Sequence, residues 1–201
     1  MKSIDIKGVS REGLGKKATR ELRKANSIPC VLYGVEKNAE GLPVAKSFSV
    51  ITEEVRNLVY SPDIFVVNLT IDGTTVKAIL KDIQFHPVKD NILHMDFYQV
   101  TENKPIVMNV PVKLTGLAAG VKAGGRLEQI LRRVKVKALY TQMPEKIELD
   151  VTPLSIGKTI KIGDVNIEGL ELVNPKEAVI CGVMTTRSAV AEESTEEGAE
   201  A

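Results

Sequence analysis

A cationic stripe along one predicted helix is the first feature of the sequence that could do chemistry. At helical spacing, four side chains of the segment 16–25 share one arc of about 100°: Lys16, Thr19, Arg20 and Arg23. Apolar residues lie opposite and form a core side. Arginine donates two parallel hydrogen bonds to phosphate and stays charged, so the stripe predicts phosphate binding. A merely solvated face is the alternative, although only Glu21 interrupts the basic residues.

A second candidate group is the histidine and carboxylate pair in the segment 84–100, where Asp96 follows His94 by two residues. On a strand the two side chains point to one face, where one can hydrogen-bond a base edge or ribose and the other can orient it. Two polar residues on an exposed strand are the plain alternative. A metal site with His86 is another, but the spacing matches no common zinc pattern and neither cysteine lies nearby in sequence.

Enzymatic motifs are weak in this sequence. The segment GLGKK looks like a phosphate loop, but Ser10 stands where a Walker-type loop needs its first glycine, and the residue directly after Lys16 is Lys17 instead of Ser or Thr. No nucleophile elbow or activated cysteine motif accompanies His94. We therefore predict a protein that is not an enzyme and needs no cofactor or metal.

Charge and composition restrict the class of partner. The net charge is only +1, yet residues 1–28 hold eight basic and three acidic residues, while residues 189–201 hold five glutamates and no base. A basic N-terminal region favours nucleic acid. Aromatic residues make up 4% of the chain, too few for a row of stacked bases, so a folded RNA is the better ligand. No apolar run predicts a signal peptide or membrane span, which indicates a cytoplasmic protein.

The elements that must position these residues are mainly β-strands, with a few short helices. Strands are predicted at 29–33, 46–51, 65–71, 76–83 and from residue 94 onward. The step Asp72-Gly73 predicts a tight hairpin turn between two of them. Besides the helix at 16–25, a second helix is predicted at 52–61, where Val55, Leu58 and Val59 recur at helical spacing.

A polar, proline-containing segment at 101–105 predicts a boundary between domains at 1–100 and 101–185. The second domain is again mostly β, with strands predicted within 110–116, 132–140, 145–154, 158–165 and 177–183. In the segment 120–133, Leu127, Ile130 and Leu131 suggest one or two helical turns. The acidic tail at 186–201 is predicted to be disordered. Cys30 and Cys181 lie in apolar runs, where a thiol usually behaves as a small buried hydrophobe.

The motifs, taken in order, resemble one family. REGLGKKATRELRKANSIPCVLYG followed by KDIQFHPVKDNILHMDFYQV resembles the bacterial large-subunit ribosomal protein L-twenty-five. GGRLEQILRRVKVKALY and MPEKIELDVTPLSIGKTIKIGDV extend the resemblance to its long two-domain form, called CTC, general stress protein CTC or TL-five. The resemblance covers about residues 1–185. It implies a six-stranded β-barrel with helices that binds 5S rRNA in the central protuberance, followed by a β-rich second domain.

The resemblance also implies which residues contact the RNA. Carried over by motif, they are Arg11, Lys16, Thr19, Arg20, Arg23, Tyr33, Gln84, His94 and Asp96. Lys81 stands where many relatives have glutamine, and this departure replaces a polar side chain with a charged one. The expected partners extend to 23S rRNA and neighbouring large-subunit proteins. We expect a monomer within the cytoplasmic ribosome and no membrane contact.

The second domain departs further from the family. Where relatives typically carry an acidic strand, this chain has RRVKVKALY, which places Arg133, Lys135 and Lys137 on one strand face. A further RNA contact and a solvated basic strand are both open readings of it.

The predicted function is a structural component of the large ribosomal subunit that takes part in translation without catalysis. The alternative is a stress-related protein-interaction factor whose C-terminal β domain recruits a partner.

Overall fold

A computed structural model describes residues 2–34, 44–102, 104–167 and 169–186. By its internal contacts the chain divides into two compact units: Met1–Ile106 with Leu139–Thr141, and Val107–Ala138 with Gln142–Ala201. The domain limits expected from the sequence, 1–100 and 101–185, stay a prediction. Apart from Thr186, the predicted disordered tail lies outside the described residues.

Among the residues that the structure describes, the first unit forms a closed barrel of six strands with two short helices. Its strands are β1 Lys2–Ser10, β2 Ser27–Tyr33, β3 Lys46–Ile51, β4 Phe65–Ile71, β5 Thr74–Phe85 and β6 Ile92–Gln99. Its helices are α1 Lys16–Lys24 and α2 Thr52–Tyr60. The strand order is β1-β3-β2-β6-β5-β4, and the barrel closes through parallel pairing of β1 with β4. The predicted mainly β fold and the six-stranded barrel are confirmed.

Alternating side chains fill the interior of the barrel. Phe48 and Phe97 are fully buried and pack with ring centroids 5.7 Å apart. A Cβ at Gly8 would lie 2.7 Å from Cδ2 of Phe48, so only glycine lets β1 pass this ring. The hydrophobic face of α2 joins the core through Val55 and Leu58, as its helical spacing predicted.

The tight turn between β4 and β5 is confirmed. Asp72 and Gly73 have φ angles of 48° and 83°, the left-handed values that a two-residue hairpin turn requires. Strand β1, by contrast, was not predicted. Only Ile6 and Gly8 are buried in it, and its parallel partner β4 lies about sixty residues along the chain, so the local apolar signal is thin.

In its described part, the second unit forms two small sheets. Its elements are β7 Ile106–Thr115, α3 Ala119–Lys122, β8 Arg126–Gln129, β9 Arg133–Ala138, β10 Ile147–Asp150, β11 Thr159–Lys161, a 3₁₀ helix Ile162–Asp164, β12 Glu171–Leu172 and β13 Val179–Met184. One sheet has the order β10-β7-β9-β12 and the other β11-β13-β8. Cys181 is buried with Val151 and Val183 in one core cluster, and Cys30 is buried in the barrel, which confirms the predicted burial of both thiols.

The helical turns expected around Leu127, Ile130 and Leu131 are wrong. Residues 126–129 form β8, which pairs antiparallel with β13, and exposed and half-buried side chains alternate along it. The backbone N–H groups of Ile130 and Leu131 both donate to the carbonyl of Ile180. A short run of mixed apolar residues fits either period, and pairing with β13 decided the outcome. Among the helices within the described ranges, none has the length and apolar character of a membrane span.

Candidate RNA interface

The cationic stripe (Lys16, Thr19, Arg20 and Arg23) lies on α1 at the surface of the barrel. Gly15, with a φ of 111°, precedes the helix, and no side chain caps its first turn. Lys16 and Arg20 are exposed, whereas Ala18 and Leu22 on the opposite side are half-buried. A positive charge in the first turn is unfavourable for the helix dipole, and the same N-terminus favours an anion. The cations at the start of α1 therefore do not stabilise the helix by themselves, whereas they can bind a phosphate.

Thr19 and Arg23 have structural contacts that the sequence did not reveal. The Thr19 hydroxyl donates to the carbonyl of Gly15 at 2.9 Å and thereby ties down the helix start. Arg23 donates from Nε and Nη2 to the carbonyl of Leu93 at 3.2 and 2.9 Å. These bonds hold α1 against the start of β6 and use two of the five guanidinium donors. Arg23 thus anchors the stripe in addition to its predicted contact with RNA.

His94 and Asp96 face the same side of β6, as predicted. Nδ1 of His94 lies 2.8 Å from Oδ1 of Asp96, and both side chains are partly exposed. Gln84 on β5 is the cross-strand partner of His94, so its amide lies on this side too. Because Asp96 engages Nδ1, Nε2 is the nitrogen of His94 that remains for an outside group.

Tyr33 reaches the same side from the end of β2. It pairs in register with Tyr98 on β6, and the two rings meet edge to face with centroids 6.0 Å apart. Burial, followed by the nearby carboxylates of Asp96 and Asp82, raises the pKa of Tyr33 above its ordinary value. The phenol therefore keeps its proton at neutral pH and can donate it in a hydrogen bond.

Arg11 completes this side of the barrel. Its backbone N–H donates to the carbonyl of Ser47, Ser47 pairs with Val31, and Val31 pairs with Asp96, so these four residues form one row across three strands. Nε and Nη1 of Arg11 are buried and have no hydrogen-bond partner within the described chain. Buried donors without acceptors cost free energy, particularly on a charged group. An oxygen supplied from outside the chain would satisfy them once the half-buried side chain turned toward it.

The charge of Arg11 also affects the pKa of the buried thiol of Cys30. Burial raises the pKa of Cys30 to about 12, with Arg11 lowering it and Asp96 raising it. Both charged groups therefore lie near Cys30, and they shift its pKa in opposite directions. We call the outward side chains assembled here the polar face: Arg11, Tyr33, Gln84, His94 and Asp96.

Comparisons with known proteins match both parts of the chain. The model described as the ribosomal L25p family matches residues 6–97, which include the cationic stripe and the polar face. The model of the C-terminal domain of ribosomal protein TL5 matches residues 105–187. The chain is 65% identical to the large ribosomal subunit protein bL25 of Phocaeicola vulgatus, over 94% of this chain and 96% of the relative.

Two further relatives carry the same name. That of Bacteroides thetaiotaomicron is 55% identical over 94% of this chain and 95% of the relative. That of Porphyromonas gingivalis is 53% identical over 94% of this chain and 96% of the relative. The chain belongs to the ribosomal L25p family. Membership confirms the resemblance drawn from the motifs, and with it a structural ribosomal role in the cytoplasm that is not enzymatic.

The metal alternative finds no support in the L25p barrel. Nδ1 of His86 accepts hydrogen bonds from the backbone N–H groups of Val88 and Lys89, both at 3.2 Å, and so closes the turn between β5 and β6. Within the described ranges, no group of three or more metal-binding side chains occurs. His86 and His94 accordingly have separate tasks.

Three further residues lie on or beside this face, and two of them, Asp82 and Tyr98, were not predicted as site residues. Asp82 pairs in register with Asp96, and Tyr98 follows Asp96 by two positions, so both lie on the polar face. The alternation of strand residues from Gln84 and Asp96 could have found them. Lys81 is the extra residue of a bulge between Leu80 and Asp82, and it is exposed. A bulge re-aims a side chain, which places this additional cation beside the polar face.

Proposed function

We propose that this L25p family member binds 5S rRNA in the central protuberance of the large ribosomal subunit. The contact runs through the cationic stripe and the polar face. The protein acts there as a monomer that holds folded RNA without catalysing a reaction. 23S rRNA and neighbouring large-subunit proteins are proposed as its further partners.

The observation that carries the proposal is the guanidinium of Arg11. Two of its donors are buried without an acceptor in the described chain, next to a row of polar side chains. A structural arginine would be expected to find its acceptors within the fold, as Arg23 does at Leu93. A phosphate or ribose oxygen is an acceptor of the right charge and size, and RNA presents many of them.

The cationic stripe and the polar face are suited to different groups of the RNA. Lys16 and Arg20 are exposed cations suited to phosphates, which contribute affinity and salt dependence. The polar face combines donors and acceptors, among them the hydrogen-bonded pair of His94 and Asp96, which suit ribose hydroxyls and base edges. A surface with both kinds of contact favours a folded RNA, which presents ribose and base groups beside its phosphates, over a polyanion that presents phosphates alone.

A gel-shift titration of the full chain with a 5S rRNA fragment, repeated over a series of KCl concentrations, tests the proposal. We expect binding that weakens steadily as salt rises, and weaker binding to unstructured poly(U) of equal length. Equal affinity for the two RNAs, or no salt-dependent binding to the 5S fragment, would overturn it.

A further inference from the structure

The second unit carries a row of cations on its four-stranded sheet. Buried and exposed residues alternate along β9. Val134 and Val136 are buried, whereas Arg133 and Lys135 are exposed. Lys137 follows on the same side and is half-buried. Arg132, exposed immediately before the strand, adds a further positive charge. The strand therefore presents its basic residues outward by simple alternation.

The cations of this sheet are not equivalent. Nζ of Lys137 lies 2.8 Å from Oε2 of Glu171 on β12, and Nζ of Lys113 on β7 lies 3.3 Å from Oε1 of Glu148 on β10. Both ion pairs join residues in direct register across neighbouring strands. For the side chains of Arg133 and Lys135, the described part of the chain supplies neither a hydrogen bond nor an ion pair.

The register between β9 and β12 places no acidic residue opposite Lys135. Since Glu171 stands opposite Lys137, the next outward position of the antiparallel partner is residue 173, and its N–H donates to the carbonyl of Lys135 at 2.9 Å. This residue is Val173, which is 47% exposed and carries no charge. The backbone of Lys135 is fixed further by a hydrogen bond from its N–H to Oδ1 of Asn174 at 2.7 Å. Two backbone hydrogen bonds thus position Lys135, whose side chain has no ion pair with the acidic residues that the structure describes.

Two such cations on alternate strand positions lie roughly 7 Å apart, which lets each take a separate phosphate. The chain belongs to a family of ribosomal proteins, so the abundant polyanion around it is RNA. We propose that Arg133 and Lys135, the free basic pair, bind the phosphate backbone of ribosomal RNA as a second contact of this protein. This contact is separate from the polar face and does not depend on the choice of 5S rRNA as its ligand.

A matched pair of double variants in the full chain tests the proposal. Arg133→Ala with Lys135→Ala removes two free cations, while Lys113→Ala with Lys137→Ala removes two cations already paired with glutamates. Binding of each to large subunits depleted of this protein is measured over a KCl series. We expect the first variant to dissociate at lower salt, with a slope of log K against log salt reduced by about two, and the second to follow the wild type.

Two results of this titration would overturn the proposal. If neither variant differs from the wild type, the free basic pair is only solvated. If both weaken binding equally, net charge rather than a specific contact is responsible. Binding of the wild type and of both variants to the isolated 5S rRNA fragment is measured in parallel. If the wild type does not bind this fragment, the proposed function is wrong, but the inference about Arg133 and Lys135 is not affected.

A photo-crosslinker at residue 173 identifies the class of partner directly. Val173→Cys leaves both cations in place and introduces an exposed thiol, whereas Cys30 and Cys181 are buried, which directs a thiol-reactive label to the new position. We expect adducts with ribosomal RNA in reconstituted large subunits. Adducts confined to an acidic protein would show that the free basic pair binds protein, and the proposal would be wrong.

Discussion

On the barrel, the guanidinium of Arg11 has two buried donors without an acceptor in the described chain, whereas on the four-stranded sheet of the second unit Lys113 and Lys137 each pair with a glutamate. Both regions are rich in basic residues. The number of cations in a region therefore says little about anion binding, because a neighbouring carboxylate in register cancels the charge. Cations that the fold leaves unpaired are the informative ones.

The largest expected effect concerns Arg11. We expect Arg11→Ala to weaken binding to 5S rRNA by roughly 10- to 100-fold, about 1.5–3 kcal/mol, because a charged hydrogen-bonding group is lost. The free protein should lose no stability, since the removed donors have no partner in the described chain. Lys113→Ala, which removes one charge from the second unit, is the control in the same titration. A clear loss of stability in the unbound Arg11 variant would show that this residue serves the fold.

The second prediction separates two arginines of the cationic stripe. Arg20→Ala should reduce the slope of log K against log salt by about one while leaving the unfolding free energy unchanged, because Arg20 is exposed. Arg23→Ala should in addition lower the unfolding free energy by about 1 kcal/mol, because its bonds to the Leu93 carbonyl are lost. Denaturant unfolding distinguishes the two. Identical unfolding curves would mean that the bonds to Leu93 do not anchor α1.

The third prediction concerns His94, a residue of the polar face that is neither lysine nor arginine. We expect His94→Ala to weaken 5S rRNA binding by about 1 kcal/mol with an unchanged salt slope, because a hydrogen bond to ribose or base releases no counterion. This behaviour would contrast with the variants of Arg133 and Lys135, which should change the slope. A reduced slope for His94→Ala would indicate that the imidazole contacts a phosphate.

The smallest effect is expected at Asp150 in the second unit. Hydrogen bonds from the hydroxyl and the backbone N–H of Thr152 lower the pKa of this exposed carboxyl below its ordinary value of 3.8. The stability gained from the charged form is therefore present above that ordinary value and is lost as pH falls through the lowered one. We expect Thr152→Ala to raise the pKa of Asp150, which an NMR titration of its side-chain carbon measures. An unchanged pKa would mean that the backbone N–H alone accounts for the shift.

Local patterns in the sequence predicted much of the fold. The helices at α1 and α2, the hairpin at Asp72-Gly73 and the common face of His94 and Asp96 all follow from contacts within a few residues. Strand β1 and the strand character of Leu127 did not, because each depends on a partner strand far along the chain. The contacts of the candidate site residues with RNA stay predictions that the experiments above test.

Motifs such as REGLGKK and HMDF, together with local periods of apolar residues, were enough to predict the ribosomal family and several elements of the fold. The pairing of the cations, in contrast, became visible only in the folded chain. Arg23 is engaged by Leu93 and Lys137 by Glu171, while Arg11 and Lys135 have no such partner among the described residues. The physical reason is that charge pairing depends on which residues stand opposite each other on strands distant in sequence, and the order of charges along one strand does not show its partner's residues.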